Sequence, residues 1–233
     1  MRICATRARP AAARHDGASA VALPEVSAGF RQPRPAGRRG RPVAALDAVQ
    51  LLALSGSLRA ASINSALLRA AARLAPPGLS VTVDTGLGRL PLFNPDDEGR
   101  APAAVAAFRA RVAAADALVL ASPEYAHGVT GTIKNALDWL VSFEPFAYKL
   151  VAVWNASPRA QHADAALRET LRTMAAVIVE PASVSIALLG ARLDEDGMVS
   201  SPAVAASVRA ALAALSAAVV ERRSAPDATF PIP

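Results

Sequence analysis

A chain of 233 residues that is 53% hydrophobic and 19% charged has the composition of a globular protein with one sizeable core, which excludes a wholly disordered chain. Its formal net charge of +6 points at first to a nucleic-acid partner, but the excess is local: residues 1–42 hold nine arginines against Asp16 and Glu25, a net of +7, which leaves −1 for the rest. The single cysteine, Cys4, excludes an intrachain disulfide and a cysteine-ligated cluster or zinc site, and no stretch reaches the roughly 20 unbroken apolar residues of a membrane span.

Residues 1–43 mix Arg, Ala, Pro and Gly without a sustained apolar period, so they read as a disordered basic arm. A transit-like peptide, a phosphate-binding arm and an upstream extension without a role are the readings open to it. A secretory signal is excluded because an uninterrupted apolar core is missing, and a cytoplasmic location fits the cysteine usage. From residue 44 onward short apolar runs alternate with longer helical patterns. VQLLALS, Val49–Ser55, predicts a first strand, and residues 64–75 a helix with Leu67, Leu68, Ala71 and Leu74 on one face. Residues 79–85 alternate as a second strand. The loop GLGRLPLFNPDDEG leads to a helix over 102–114, whose Pro102 suits the first turn. Residues 115–121 have the length of a buried third strand, after which Ile133, Leu137, Leu140 and Val141 recur at helical spacing. A fourth strand is predicted over 149–155, a fourth helix over 163–176, a fifth strand within 177–190 with irregular backbone around Pro181, and a last helix over 202–222. The folded domain is thus expected over 44–223, with a flexible tail over 224–233.

Five strands alternating with five helices predict an α/β fold, a doubly wound parallel sheet with helices on both faces, because each parallel crossover needs a helix. The strand order 2-1-3-4-5 is the common solution for five such units, and its crevice lies between the ends of strands one and three. Those ends carry the two unusual loops of the chain. The first is SGSLRAASINS, residues 55–65. Gly56 allows a tight turn, Ser55, Ser57, Ser62 and Asn64 offer neutral hydrogen-bond partners, and Arg59 offers a planar fork of donors. Together with a helix amino terminus this matches a phosphate dianion; the plainer reading is a Ser/Asn cap beside a surface arginine. Neither a P-loop nor a dinucleotide glycine fingerprint is present.

The second loop, ASPEYAHGVTGTIKNALDWL, residues 121–140, combines Pro123, which removes a donor, with Gly128 and Gly131, which permit close approach, and with Tyr125, a flat face with a polar tip. Such a loop suits the edge of a heteroaromatic ring; the alternative is a plain connection whose tyrosine packs on a neighbour. Lys134 and Asp138 are spaced as an i, i+4 surface pair. His15 and His162 stand isolated in the sequence and suggest no metal site.

GSLRAASIN followed some sixty residues later by PEYAHGVTGTIKNALDWL resembles the NAD(P)H-dependent FMN reductases of the flavodoxin-like fold, the group that includes quinone, chromate and azo-dye reductases. The likeness covers roughly residues 49–220. It implies that Ser57, Arg59, Ser62 and Asn64 hold the FMN phosphate, that Pro123, Glu124, Tyr125 and Ala126 border the isoalloxazine, and that Ser157, in NASPR, contacts its other side. Ala126 stands where relatives often have Asn, and Thr130 replaces a frequent proline. His127 is a candidate acid for substrate protonation, against the commoner role of a solvated or interface histidine.

With a flavin the chain needs no nucleophile or metal of its own. The resemblance then implies hydride uptake from NADPH or NADH and a ping-pong transfer to quinones, free flavin or similar small acceptors, with Pro91, Phe93 and Asn94 as a candidate wall of the slot. It also implies a homodimer or homotetramer, with Tyr125, Trp139 and Phe143 near the interface. Two rival readings are a non-enzymatic flavodoxin-type electron carrier, against which the folded part lacks a strongly acidic charge, and a nucleic-acid-associated protein, which would act through the arm alone.

Overall fold

The computed structural model describes residues 48–224. The basic arm expected over 1–43 and the tail beyond Ser224 lie outside the described residues, and Ser224 itself closes the last helix. Six parallel strands form one sheet: β1 (Val49–Ser55), β2 (Leu79–Val83), β3 (Ala117–Ala121), β4 (Leu150–Asn155), β5 (Val177–Ile178) and β6 (Val184–Ser185). Their order is β2-β1-β3-β4-β5, with β6 also paired to β4, which is the order expected from the sequence. Leu51 of β1 pairs with Ala117 of β3, and Ala117 with Leu150 of β4.

The central strands are buried on both faces: every residue of β3 and β4 is buried, as a parallel sheet between two helical layers requires. One core, built on Leu51, Ala53, Val119 and Trp154, is covered by α1 (Ile63–Leu74), α5 (Glu195–Ser200) and α6 (Pro202–Ser224). The other, built on Leu52, Leu54, Leu118 and Leu120, is covered by α2 (Ala103–Ala114), α3 (Gly131–Asp138) and α4 (Gln161–Thr173). The 23-residue α6 is apolar and long enough to cross a membrane by length and composition, yet it buries Val204, Val208, Leu212, Leu215 and Val219 against the sheet.

Two local expectations are corrected, and one element is added. The fifth strand is two short strands, because Pro181 lacks an N–H and sits in a 3-10 turn, Glu180–Ala182. The Ser183 hydroxyl steps into the ladder there, accepting from the Val153 amide at 3.0 Å. The helix α3 stops at Asp138, so Ile133, Leu137 and Leu140 are buried while Val141 is exposed. Finally α5 is a short element, capped by Asp194, whose carboxylate accepts from the Gly197 amide at 2.8 Å; six residues carry too little periodicity to be read from sequence.

Candidate functional site

The loops after β1, β3 and β4 meet at the carboxyl edge of the sheet. The first two are locked together through Gly56, whose amide donates to the Ala121 carbonyl at 2.8 Å and whose carbonyl accepts from the Thr130 hydroxyl at 2.6 Å. The approach is so close that a Cβ on residue 56 would stand 2.4 Å from Ser122 Oγ. Glycine here serves contact between backbones rather than an unusual φ.

Behind this junction the serines of the β1–α1 loop organise one another. Ser55 and Ser65 share a hydroxyl hydrogen bond of 2.7 Å, and the Ser57 amide donates to Ser55 Oγ at 3.2 Å. Ser62 is the N-cap of α1, accepting from the Ser65 amide at 3.3 Å, so the capping reading is right for its oxygen while its hydroxyl hydrogen remains to be donated. The first amides of α1, Ile63 and Asn64, have no acceptor within the helix, as at every helix start. Asn64 is buried and its Oδ1 has no hydrogen-bond partner. Arg59 is exposed and, among the described residues, makes no ion pair.

The β3–α3 loop folds into a two-residue turn closed by reciprocal backbone hydrogen bonds between Tyr125 and Gly128, 3.2 and 2.9 Å. Its central residues Ala126 and His127 both have positive φ, 49° and 59°, the geometry of a type I′ turn that favours Asn and Gly. The Glu124 carboxylate reaches the start of α4 and accepts from the Ala163 amide at 2.9 Å. The N-cap of α4, Ala160, has no side-chain acceptor of its own, so Glu124 caps that helix from another loop. The imidazole of His127 stacks on His162, at the second position of α4, with centroids 4.3 Å apart and 6° between planes. His162, isolated in the sequence, is therefore half of a stacked pair. On the third loop, Asn155 accepts from the Ser157 amide at 2.9 Å and donates to the Ala160 carbonyl at 3.1 Å.

The three loops enclose a cavity of about 430 Å³ lined by Ser57, Arg59, Ser62, Asn64, Pro123, Glu124, Tyr125 and Ser157. Ala126 and His127, also singled out in the sequence, sit at the turn tip outside that lining. The sequence reading missed Ser122 and Leu189 as lining residues, and of the 155–159 loop that it placed here it singled out Ser157 but not Asn155 or Arg159. Arg159 stands in NASPR and was within reach of a charge argument; Leu189, far along the chain, gave no signal. The cavity carries Arg59 and Arg159 against Glu124 alone, and that carboxylate is already engaged, so the site favours an anion.

The predicted slot wall is not part of this lining. The Pro91 carbonyl accepts from Asn135 Nδ2 and Trp139 Nε1, both at 2.9 Å, and the Phe93 amide donates to Asn135 Oδ1 at 2.8 Å. The Asn94 side chain caps its own 3-10 turn. Trp139 is fully buried in this chain's own core, with Phe93 edge-on at 5.1 Å, so it contributes no surface to an interface. Lys134 and Asp138 form the expected i, i+4 pair at 2.5 Å. Among the described residues no group of three or more His, Cys, Asp or Glu side chains converges as metal ligands would.

Comparison with known proteins matches residues 49–188 to the model of the NADPH-dependent FMN reductase family. An NAD(P)H-dependent FMN reductase of Pseudomonas aeruginosa is 42% identical over 114 residues, 48% of this chain and 61% of that protein. An NADPH:quinone oxidoreductase of Arabidopsis thaliana is 45% identical over 96 residues, 39% of this chain and 48% of that protein. The matched stretch thus spans about half the length of these curated relatives. Among solved structures, the flavoenzyme NAD(P)H:(acceptor) oxidoreductase FerB of Paracoccus denitrificans superposes with a TM-score of 0.64 at 24% identity, covering 74% of this chain and 98% of that one; the likeness is one of fold.

Proposed function

Because the chain belongs to the NADPH-dependent FMN reductase family, we propose that its cavity binds FMN and that the domain is an oxidoreductase taking hydride from NAD(P)H and reducing quinones, free flavin or similar small acceptors. The observation that carries this reading is the Asn64 amide. An unpartnered buried acceptor costs about 1–3 kcal/mol, and here the residue that carries it lines a cavity together with Ser57, Ser62 and Arg59. FMN matches that donor set, since its ribityl hydroxyls donate and its phosphate accepts.

The residues divide the work as follows. Arg59, the Ser57 and Ser62 hydroxyls and the open amides at the start of α1 hold the phosphate, in a charge-assisted arrangement. Asn64, which the resemblance gave to the phosphate, has an acceptor oxygen to satisfy, so it is assigned instead to a ribityl hydroxyl. Pro123, Glu124 and Tyr125 on one side and Ser157 on the other border the ring, with Glu124 held rigid by its bond to α4. Bound flavin supplies the hydride chemistry and the electron relay. The chain's contribution is to fix the ring, keep one face open for NAD(P)H and the acceptor in turn, and set the electrostatics. His127 has its ring on His162 and lies outside the cavity lining, which leaves a proton-donor role without geometric support. The flavin absorption spectrum of the purified protein, with NAD(P)H oxidation in the presence of a quinone, tests the proposal. Steady turnover is expected. Bound FMN without NAD(P)H oxidation would favour the electron carrier, and failure to bind FMN would remove both.

The finer readings are a symmetric homodimer or homotetramer and a cytoplasmic location. Leu92, Val141 and Tyr125 are large side chains more than half exposed, which supports self-association near α3. A monomer mass by light scattering at micromolar concentration would refute the assembly.

A further inference from the structure

A second cavity, of about 780 Å³, abuts the first and shares Arg59, Ala61, Ser62 and Ile63 with it. It runs as a groove along α1 from Ser62 to Arg73, about 16 Å at the helical rise of 1.5 Å per residue, and its far wall is the segment from Leu188 to Asp196. Ile63, Ala66, Leu188 and Leu193 give it apolar surface.

Four arginines line this groove, and two are already committed. Arg69 donates to Glu195 at 2.7 Å, and Arg73 bonds Asp196 at 2.6 Å and Glu195 at 3.3 Å. The third acid, Asp194, has one oxygen on the Gly197 amide as the cap of α5. Among the described residues Arg59 and Arg192 have no carboxylate partner, and with Arg59 given to the flavin phosphate, Arg192 is the groove's arginine left for a second anion. Arg192 also sits in the left-handed region, with φ 54°, a conformation that costs a non-glycine residue energy and that clusters at ligand sites.

We propose that this groove receives the adenosine half of NADPH and that Arg192 recognises the 2′-phosphate, so that the chain prefers NADPH to NADH. The inference rests on the reductase reading, which places the nicotinamide over the first cavity. From there the groove offers apolar walls to the adenine and a guanidinium to the phosphomonoester. Arg59, at the junction, belongs to the flavin phosphate and serves both ligands only through its field. NADH, with a hydroxyl at the same ribose position, gives Arg192 no anion to pair with.

The test uses the full chain loaded with FMN, as wild type, Arg192→Ala and Arg192→Glu. Steady-state turnover is measured with NADPH and NADH, and calorimetry measures the affinity for 2′,5′-ADP and 5′-AMP. Loss of a charge-assisted contact from an exposed arginine predicts about a tenfold fall in kcat/KM for NADPH and in 2′,5′-ADP affinity for Arg192→Ala, with a larger fall for Arg192→Glu. NADH turnover, 5′-AMP affinity and FMN affinity are expected to stay at wild-type values. Equal losses for both nucleotides, or wild-type protein that binds 2′,5′-ADP no more tightly than 5′-AMP, would overturn the assignment. If the wild type takes no flavin, the reductase reading fails by itself, while 2′,5′-ADP binding to the purified protein still decides whether Arg192 holds a phosphomonoester.

Discussion

The contact between the β1–α1 and β3–α3 loops can be broken by a single methyl group. In Gly56→Ala the new Cβ would meet Ser122 Oγ at 2.4 Å, with Ser122 Cβ and Thr130 Oγ1 both at 2.8 Å, whereas ordinary contact begins near 3.4 Å. The loops must therefore part by about 1 Å, and the obstacle is two short side chains with little freedom to move. Overpacking of this kind costs about 1–3 kcal/mol, and for a domain of this size each kcal/mol lowers Tm by about 2–4 °C. The same displacement stretches the Thr130 hydroxyl bond to the Gly56 carbonyl and the Gly56 amide bond to Ala121. Because Ser57 and Arg59 ride on this loop, FMN affinity falls as well.

Thermal melts of the flavin-free protein and fluorescence titration with FMN measure the two effects separately. Ser122→Gly in the same background removes both Ser122 atoms from the clash and leaves only Thr130 Oγ1, so the double variant is expected to recover part of the loss. Gly131→Ala, where a Cβ meets nothing within 4 Å, serves as the neutral comparison. A Gly56→Ala protein that melts with the wild type, or a double variant whose losses simply add, would refute the described loop contact.

Arg59→Ala is expected to weaken FMN by about tenfold to hundredfold through loss of a charged hydrogen bond and to leave riboflavin, which has no phosphate, unchanged in the same titration. Ala126→Asn places a residue tolerant of positive φ at φ 49° and is expected to stabilise the protein by about 0.5–1 kcal/mol, read as a higher urea midpoint. Arg111→Met leaves the fully buried Asp84 carboxylate without the guanidinium now 2.6 Å away; the loss is expected at the lower end of about 3–5 kcal/mol, because Arg111 is 40% exposed. Burial lowers the pKa of Lys149 below its ordinary 10.5, with Arg222 adding to the effect and Asp116 opposing it. The folded state then binds fewer protons than the unfolded one between the two pKa values, so this group's contribution to stability rises as pH climbs toward about 10.5. Lys149→Met should remove that rise from a series of urea midpoints, and an unchanged rise would assign it elsewhere.

The sheet was legible because each central strand is a short apolar run and each crossover a longer one with helical period. VQLLALS and ALVLA read as buried strands since parallel strands between two layers carry no polar face. The β1–α1 loop was legible for a local reason: its serines, glycine and asparagine lie between a strand end and the helix they cap. What stayed hidden depends on groups distant in sequence. Pro91 was read as a slot wall from its loop composition, whereas the contacts that fix its loop, from Asn135 and Trp139 to its carbonyl, come from more than forty residues away. Trp139 gave no sign of which side it faced, since an apolar residue at a helix end satisfies core and interface alike.

The turn carrying Tyr125 shows how such distant contacts decide the site. Two non-glycine residues with positive φ cost about 1–2 kcal/mol each, and the sequence Ala-His does nothing locally to offset this, whereas Asn-Gly would. The turn is instead held from outside. Glu124, one residue before it, caps α4 through the Ala163 amide, and His127 within it lies flat on His162 of the same helix. Both anchors fall in the first turn of α4, an element that begins more than thirty residues later. The position of Tyr125 at the cavity mouth is therefore set by the start of α4 as much as by the loop itself. Substitutions at His162, outside the cavity lining, are coupled to the site through that stack, and residue 126 is free to be Ala because the helix does the ordering.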